Sequence, residues 1–309
     1  MVIYSFAKVN LALEIINRRA DNYHNLNTLF ERISLRDKII LKTRRDNLIK
    51  VYCSDPSIPP GKSNLCWQAA KLLQDAGRVK KGVDIKVTKR IPVGAGLGGG
   101  SSNAASILLA LNKLWGLGLG KNRLAALGAQ LGSDVPFFIY DTPFAQGQGR
   151  GERIRLLKKL NRVKLWHILV VPKIHVSTPG IYKRWDACLS GRQACLSGRQ
   201  ACRPAGQAFS GLTKPASNVK IIISKLAKKN PLFEPGLLFN SLEPVTLKLY
   251  PQVRRIKEKL KRLGLKNVLM SGSGGAVFAT VASEKKAITL ARRLKQEGGP
   301  WRAFAVSTV

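Results

Sequence analysis

Apolar and polar positions alternate in the first part of the chain in a way that predicts β-strands. The opening segment IYSFAKVNLALEII is mostly apolar and predicts one or two strands, with Lys8 and Asn10 as its polar interruptions. A second strand-like stretch covers 37–52, and the segment VDIKVTKRIPV alternates cleanly up to Gly94. These strands predict a sheet in the N-terminal half.

Helical spacing appears where the last of these strands ends. After Ser101 the segment NAASILLALNKLW repeats apolar residues at helical intervals, and 63–73 and 124–131 also predict helices. Beyond Glu152 the chain becomes more polar, so we place a domain boundary near residue 155, giving domains 1–155 and 156–309. Four later segments predict a strand, two helices and a second strand, in that order: 164–172, 220–228, 251–263 and 267–282.

Length and composition favour a globular protein with a sizeable core. The chain has 309 residues, 45% of them hydrophobic, which suits two domains better than one. No apolar stretch approaches the roughly 18 to 20 residues that cross a bilayer, and the N-terminus lacks the basic region of an export signal. We therefore expect a cytoplasmic protein with no membrane association.

The charge balance is strongly basic. With 53 basic and 17 acidic residues the formal charge is +36, which would attract ATP, nucleic acid or an anionic surface alike. The basic residues are spread along the whole chain, so we prefer solvated surface side chains as the explanation. Nucleic-acid association stays an open alternative that the charge alone does not favour.

Residues 187–207 repeat one heptapeptide, ACLSGRQ, twice exactly and once loosely as ACRPAGQ. The Gly, Ser and Pro in each unit argue against a coiled coil. The three repeat cysteines have neither a nearby histidine nor a CxxC spacing, which disfavours a metal site. We expect a flexible inserted loop, and the scattered Cys53 and Cys66 fit a reducing compartment.

The segment PVGAGLGGGSSNAA follows a predicted strand and opens a predicted helix. Such a turn directs backbone N–H groups and the positive end of a helix dipole at one point, which suits a phosphate chain. Glycines allow close approach of phosphate oxygens and positive φ angles, while Ser101 and Ser102 add hydroxyl donors or Mg²⁺ ligands. The pattern is neither a GxxxxGK[ST] loop nor a good dinucleotide fingerprint, and the remaining alternative is a purely structural turn.

With this loop the sequence resembles the GHMP kinase superfamily, and two further motifs, AKVNLAL and SGSGGAVFA, fall in the expected order. The resemblance implies an α+β fold of two domains, the first like domain 2 of ribosomal protein S5 and the second ferredoxin-like. It also implies ATP and Mg²⁺ as cofactors. The residues it assigns to ATP in the loop are Pro92, Gly94, Gly96, Leu97, Gly98, Gly99, Gly100, Ser101 and Ser102.

Two other strings, DNYHNLNTLF and LGSDVPFF, resemble the superfamily branch that phosphorylates the 2-hydroxyl of 4-diphosphocytidyl-2-C-methyl-D-erythritol, in the non-mevalonate isoprenoid pathway. That resemblance implies Asp134 as the base and Lys8 beside it. A buried carboxylate close to a lysine can accept a hydroxyl proton while the ammonium stabilises the nucleophile and the developing charge. Taken alone, Asp134 is equally a helix N-cap, and Lys8 an edge-strand lysine.

By the same resemblance Tyr23 and His24 line a cytosine pocket, where one ring stacks on the base and the imidazole bonds its edge. Asn10 is assigned to the substrate. Asn64 and Lys89 are assigned to the adenine and ribose of ATP, although Asn64 is equally plausible as a helix cap. Asn22 stands where the branch usually has glycine, which Asn tolerates because it accepts left-handed conformations.

Two rival functions remain at this stage. Another superfamily kinase, of the homoserine or mevalonate type, would share the loop but lack the Tyr-His and LGSDVPFF pairing. A basic nucleic-acid-binding protein would bind in a strongly salt-dependent way without ATP turnover. The turn SGSGG at 271–275 is expected to pack beside the phosphate loop in a supporting role.

Overall fold

The computed structural model describes residues 1–189, 216–228 and 237–309. Most of the heptapeptide repeat, 190–207, lies outside the described residues, so its assignment as an inserted loop stays a prediction. The strands are β1 Val2–Arg18, β2 His24–Arg44, β3 Ile49–Cys53, β4 Gly82–Thr88, β5 Phe144–Gly149, β6 Arg153–Leu156, β7 Trp166–Pro172, β8 Phe239–Asn240, β9 Val268–Met270, β10 Val277–Val281 and β11 Trp301–Ser307. The helices are α1 Leu65–Ala76, α2 Gly99–Leu114, α3 Lys121–Leu131, α4 Val135–Tyr140, α5 Thr178–Leu189, α6 Ala216–Ala227, α7 Glu243–Leu249, α8 Pro251–Arg262 and α9 Glu284–Gln296.

The larger sheet is built around one long hairpin. Strands β1 and β2 pair antiparallel, and the central order is β3-β4-β2-β1-β8. Strand β2 is long enough to pair with two strands on the same edge: its first part pairs with β5 and its last part with β4. Strand β6 extends the sheet beyond β5. This arrangement brings the N-terminal strand, the segment before α2 and the end of the β1–β2 hairpin to one side of the molecule.

The turn between β1 and β2 has a left-handed residue at its tip. Asn22 adopts φ 63°, and the Arg19 N–H donates to the Tyr23 carbonyl over 2.8 Å. Asn and Asp enter this region of backbone space more readily than other non-glycine residues. The expectation that Asn22 can stand in for glycine is confirmed by this conformation.

The smaller sheet has the antiparallel order β11-β7-β10-β9. Helices α8 and α9 pack on one of its faces through buried residues three or four positions apart, such as Ile256, Leu260 and Leu294. The opposite face contributes Leu169, Leu269 and Phe278 to a core that is shared with the larger sheet.

Three apolar cores hold the layers together. The first lies between the larger sheet and helices α1 to α4, the second between the two sheets, and the third beneath α8 and α9. A buried polar contact also joins the sheets: His167 Nε2 lies 3.0 Å from both carboxylate oxygens of Glu31, and neither side chain is exposed. The Thr308 hydroxyl donates to Glu31 over 2.6 Å, which fixes the C-terminal segment against β2.

Two predicted strands are divided in the structure. The stretch 37–52 breaks after Arg44, because the guanidinium pairs with Asp46 and the Asp46 carboxylate accepts the Leu48 N–H over 3.3 Å, closing a turn. The stretch 267–282 becomes β9 and β10, separated by a turn with positive φ at Gly272, Gly274 and Gly275. The other predicted elements are present, with ends shifted by a few residues. Among the described residues no helix is long and apolar enough to cross a membrane.

Candidate active site

A cleft of about 1010 Å³ opens at the edge of the larger sheet. Its walls come from β1, the β1–β2 turn, the start of α1, the glycine-rich loop before α2, the segment before α4, helix α5 and the turn after β9. The structure brings nearly all the sequence-predicted site residues to this cleft: Lys8, Asn10, Tyr23, His24, Asn64, Lys89, Pro92, Gly94, Gly96, Leu97, Gly98, Gly99, Gly100, Ser101 and Asp134. Ser102 is the exception, since it is buried and does not line the cleft.

The glycine-rich loop has a backbone that only glycine adopts easily. Gly94, Gly96 and Gly98 all have positive φ, between 66° and 75°. A Cβ at Gly96 would also collide with the carbonyl oxygen of Ser271, and one at Gly98 would lie 3.1 Å from the Phe138 ring. The alternation of glycines therefore follows from both conformation and space.

Helix α2 begins at this loop and points its N-terminus into the cleft. Gly98 is its N-cap residue and makes no side-chain cap hydrogen bond, and the first turn contains no acidic residue. The first-turn N–H groups and the helix dipole therefore favour an anion at this point. The Ser102 N–H donates to the Gly98 carbonyl over 2.8 Å, which continues the helix and leaves Ser101 as the hydroxyl facing the cleft.

The loop is attached on both sides. The Lys8 N–H donates to the Leu97 carbonyl over 3.0 Å, so β1 holds one side. The Ala276 N–H donates to the Ala95 carbonyl over 3.0 Å, and the Ser271 hydroxyl donates to the Gly96 carbonyl over 3.1 Å. The turn at 271–275 thus packs beside the loop as expected, and two of its residues, at 272 and 273, also line the cleft.

A buried carboxylate beneath the loop was not singled out from the sequence. Asp37 is fully buried in β2 and accepts the N–H groups of Arg90 and Ile91 over 2.7 and 2.9 Å. Its second oxygen accepts from the Asn103 amide over 2.9 Å and forms an ion pair with Lys89. Asp37 therefore fixes the strand-to-loop segment and the start of α2 together. The available signal was a single acidic residue within the apolar and basic stretch SLRDKIILK.

The two residues predicted beside adenine and ribose have structural partners. Asn64 is the N-cap of α1: its side-chain oxygen accepts the Cys66 N–H over 2.8 Å and its amide donates to the Pro59 carbonyl. The Lys89 ammonium is bonded to Asp37 and, over 3.1 Å, to Asn103. Both residues still line the cleft. Asn64 thus acts as a helix cap, and the nucleotide roles of Asn64 and Lys89 stay predictions.

Lys8 and Asp134 meet at the centre of the cleft. The Lys8 ammonium lies 3.3 Å from Asp134 Oδ2 and donates to Asn10 Oδ1 over 2.7 Å. The Asn10 amide donates in turn to the Thr28 hydroxyl over 2.7 Å, which fixes the orientation of the amide. The Lys8 side chain is only 5% exposed, so its ammonium is held in one place by β1 rather than reaching into solvent.

Asp134 is the N-cap residue of α4 by position, but its side chain makes no capping hydrogen bond. Its carboxylate is directed at Lys8 instead. The sequence-based description of a buried carboxylate is wrong in one respect, because the Asp134 side chain is 30% exposed. That exposure is on the cleft side, where a reacting hydroxyl would have to approach.

An aromatic cluster lies at the other end of the cleft. The His24 imidazole stacks on Tyr182 with ring centroids 5.1 Å apart and meets the edge of Trp185 at 5.5 Å. Its Nε2 lies 2.7 Å from a carboxylate oxygen of Asp186 on α5. Tyr23 is 54% exposed at the hairpin tip, with the Arg150 guanidinium 4.9 Å from its ring centroid. The sequence interpretation missed the contribution of α5, which is more than 150 residues away along the chain.

Burial raises the pKa values of two side chains at this site. Burial raises the pKa of the Tyr182 hydroxyl, and the negative charge of Asp134 adds to the shift, so Tyr182 stays neutral. Burial also raises the pKa of Cys66 to about 12, which leaves that thiol protonated and unreactive. The described residues contain no cluster of three or more His, Cys, Asp or Glu side chains that could hold a metal ion.

Comparisons with known proteins agree with this geometry. The model for the GHMP kinases N terminal domain matches residues 64–142, and the model for the GHMP kinases C terminal region matches 222–300. A mevalonate kinase from Methanococcus jannaschii has the same fold, with a TM-score of 0.68 over 100% of this chain and 98% of that one at 16% identity. The expected α+β GHMP kinase fold with N- and C-terminal domains is thereby confirmed, whereas the boundary near residue 155 stays a prediction.

Two proteins with higher sequence identity to this chain have equivalent names. The "4-diphosphocytidyl-2-C-methyl-D-erythritol kinase" of Syntrophotalea carbinolica is 38% identical, covering 98% of this chain and 97% of its own length. A crystal structure of "4-(cytidine 5'-diphospho)-2C-methyl-D-erythritol kinase" is similar with a TM-score of 0.76 at 33% identity, covering 99% of this chain and 98% of that chain. On this evidence the chain belongs to the 4-diphosphocytidyl-2-C-methyl-D-erythritol kinase family of the GHMP kinases.

Proposed function

We propose that this protein transfers the γ-phosphoryl group of ATP to the 2-hydroxyl of 4-diphosphocytidyl-2-C-methyl-D-erythritol, a step of non-mevalonate isoprenoid precursor synthesis. The observation that carries the proposal is the position of the Lys8–Asp134 pair. Lys8 is bonded through its own backbone to the glycine loop, and the charge of Asp134 is felt by Tyr182 in the aromatic cluster. The pair therefore lies between the glycine loop and the aromatic cluster.

The glycine loop is the ATP end of the cleft, since membership of the GHMP kinases implies ATP as the phosphoryl donor. The first-turn N–H groups of α2 and the Ser101 hydroxyl would bind the phosphate oxygens. Attachment of the loop to β1 and to the turn at 271–275 holds these donors in place before ATP arrives. Donors fixed in advance need no reorganisation when charge develops, which is the main electrostatic contribution to phosphoryl transfer.

Asp134 is the proposed base. Its carboxylate is exposed to the cleft, makes no capping bond and can accept the proton of the substrate hydroxyl. Lys8 lies 3.3 Å away and supplies a positive charge close to the transferred phosphoryl group. Asn10 keeps the ammonium in place through its own bond to Thr28. No covalent enzyme intermediate is required.

Mg²⁺ is the proposed metal, and the residues present fit it. Mg²⁺ keeps several waters and binds substrate phosphates with one or two protein oxygens rather than a complete protein cage. Ser101 and Asp134 are the proposed protein ligands, because both line the cleft and the Ser101 hydroxyl lies close to Gly132, two residues before Asp134. The metal would neutralise charge on the transferred phosphoryl group.

Tyr23 and His24 are proposed to bind the cytosine ring. Tyr23 presents an exposed aromatic face at the cleft edge, and a base of any kind can stack on such a face. His24 supplies a polar ring edge, and Arg150 places a positive charge beside Tyr23. That charge would also suit the diphosphate of the substrate.

The test is a coupled assay of ADP formation with purified protein. We expect turnover with the diphosphocytidyl substrate and none above background with homoserine or mevalonate. Preferred phosphorylation of either of those two alcohols would replace this proposal by the other kinase type. Strongly salt-dependent RNA binding without ATP turnover would instead support a nucleic-acid-binding protein. The cytoplasm, where ATP is available, is the proposed location.

A further inference from the structure

The end of the cleft with the aromatic cluster of His24, Tyr182 and Trp185, here called the acceptor end, contains a carboxylate–imidazole pair. The phosphoryl transfer itself does not require this pair. His24 begins β2 and faces Arg18 across the hairpin, while Asp186 comes from α5. Asp186 Oδ1 lies 2.7 Å from His24 Nε2, and Asp186 Oδ2 lies 3.7 Å from Arg18 Nε. The His24 side chain is 4% exposed, packed between Tyr182 and Trp185. The imidazole is therefore fixed in position and in orientation.

The contact with Asp186 also decides where the imidazole proton lies. An ionised carboxylate accepts hydrogen bonds and donates none, so the ring nitrogen that faces it must bear the hydrogen. The Arg18 guanidinium pairs with the other oxygen of the same carboxylate, Asp186 Oδ2, over 3.7 Å. A neutral His24 is then protonated on Nε2, and its Nδ1 has a free lone pair. Among the described residues the structure gives Nδ1 no hydrogen-bond partner.

A lone pair at Nδ1 distinguishes the two pyrimidines. Cytosine has an exocyclic amino group, a donor, where uracil has a carbonyl oxygen, an acceptor. An acceptor in the protein bonds the amino group but repels the carbonyl, and a buried pair of opposed acceptors leaves both unsatisfied. If the proton moved to Nδ1, the preference between the bases would be reversed.

We propose that Asp186 is a positioning residue that holds the His24 proton on Nε2, so that Nδ1 accepts from the amino group of cytosine and the site rejects uracil. This inference rests on the proposed function, which places the cytidine moiety at this end of the cleft. It assigns base specificity to a residue of α5 that does not itself contact the base.

The test compares kcat/KM for the cytidine substrate and its uridine counterpart. Asp186→Asn keeps the size of the side chain, but its amide can donate to Nε2 as readily as accept from it, so the imidazole proton is no longer fixed. We expect the preference for cytidine to fall about 10-fold or more, mainly through a higher KM, with kcat and the KM for ATP changed less than about twofold. Asp186→Glu retains the carboxylate and should restore part of the preference.

The matched control is Asp75→Asn, which removes a carboxylate at the exposed end of α1, where it pairs with Lys71. It should leave the preference unchanged. An Asp186→Asn protein with the wild-type preference for cytidine would overturn the proposal.

A second measurement does not depend on turnover. The chain has three histidines, so ¹⁵N spectra of the imidazoles can be assigned with a His24→Gln variant. We expect His24 of the wild type to be protonated on Nε2 alone, and a mixture of tautomers in Asp186→Asn. A wild-type His24 protonated on Nδ1 alone contradicts the inference even if the enzyme is active. Failure of the wild type to phosphorylate the cytidine substrate would instead count against the proposed function, while the spectra still report the Asp186 contact.

Discussion

The two ends of the cleft are built by different means. The phosphate end is made of backbone: three left-handed glycines, the N-terminus of α2, and hydrogen bonds from β1 and the turn at 271–275. The acceptor end is made of side chains from the β1–β2 turn, from the turn between β5 and β6 at Arg150, and from helix α5. The glycine loop is held by hydrogen bonds on both sides, whereas Tyr23 at the acceptor end is more than half exposed.

The difference explains how one fold serves several kinases. A site made of backbone N–H groups depends on chain conformation and binds any suitably placed phosphate, so it can be shared across the fold. A site made of a few side chains can change its ligand by a few substitutions. We therefore expect changes at the phosphate end to abolish all turnover, and changes at the acceptor end to alter only the choice and affinity of the alcohol.

The largest expected effect comes from the Lys8–Asp134 pair, which lies between the two ends. Asp134→Asn and Lys8→Met should each lower kcat at least about 10³-fold, because the base or the charge beside the phosphoryl group is lost. ATP binding, measured by calorimetry or nucleotide fluorescence, should change little. Asp141→Asn, an exposed partner of Arg32, is the control and should retain activity. Near-normal turnover of either pair variant would contradict the assigned roles.

Next in size is the effect of one methyl group in the loop. Gly96→Ala requires an unfavourable φ of 75° and collides with the Ser271 carbonyl, so the loop must move away from the turn at 271–275. A displacement of about 1 Å can cost about 100-fold in kcat/KM, and we expect a loss of that order with any alcohol. Gly118→Ala is the control, since its φ is 65° but nothing lies within 4 Å. Equal activity in the two variants would show that the collision is irrelevant.

The third effect concerns the buried network under the loop. Asp37→Asn leaves the Lys89 ammonium buried without its charged partner, which should lower the free energy of unfolding by about 3 kcal/mol in urea titrations. The KM for ATP should rise as the loop loosens. Asp84→Asn, which breaks the partly exposed pair with Arg44, should cost less than about 1 kcal/mol. A similar cost for both variants would argue against the special position of Asp37.

Asp37 also marks the limit of what the sequence could predict. The glycine loop was predictable because its chemistry is contiguous: a strand, positive-φ residues and a helix start follow one another within 92–102. The hydrophobic pattern likewise predicts β1, β4 and β7 and helices α1, α2, α3, α6 and α8, whereas it does not predict β5, β6, β8, β11, α4, α5, α7 or α9. Asp37 contacts Lys89 and Asn103, which are 52 and 66 residues away, so no local pattern reveals that contact.

The acceptor end shows the same limit more strongly. Tyr23 and His24 were predicted by motif resemblance, but their partner Asp186 lies 162 residues beyond His24 and its sequence neighbourhood carries no recognisable signal. His24 and Asp186 come close to each other only after the two sheets have packed together. Residues whose role depends on such packing need the structure, whereas residues that act through their own backbone conformation do not.

A smaller effect tests the exposed ring of the acceptor end. Tyr23→Ala should raise the KM for the diphosphocytidyl substrate up to about 10-fold by removing a stacking surface, and should leave the KM for ATP unchanged. Tyr52→Ala is a close control, because Tyr52 is equally exposed, at 54%, and lies on β3 outside the lining of the cleft. An equal rise in the KM for ATP would show that the two ends are not separable.

The smallest effect compares the buried carboxyl groups of the two ends. Asp37 has a cation beside it, whereas Glu14, on the acceptor side of β1, has a neutral hydrogen-bond donor, the amide of Asn27 at 3.3 Å. Burial raises the pKa of Glu14, and the Asn27 hydrogen bond only partly opposes the shift. Because the pKa of Glu14 is raised in the folded state, its protonation stabilises the folded protein. This stabilisation is complete below the pKa of the unfolded chain and is lost as the pH rises through the pKa of the folded state.

Glu14→Gln should therefore raise the melting temperature at pH 8, on the order of 1 °C, with little change near pH 4. Glu258→Gln, at an exposed position on α8, is the control and should show no such dependence on pH. If Glu14→Gln instead lowers the melting temperature at pH 8 more than at pH 4, the buried charge of Glu14 stabilises the fold and the prediction is wrong.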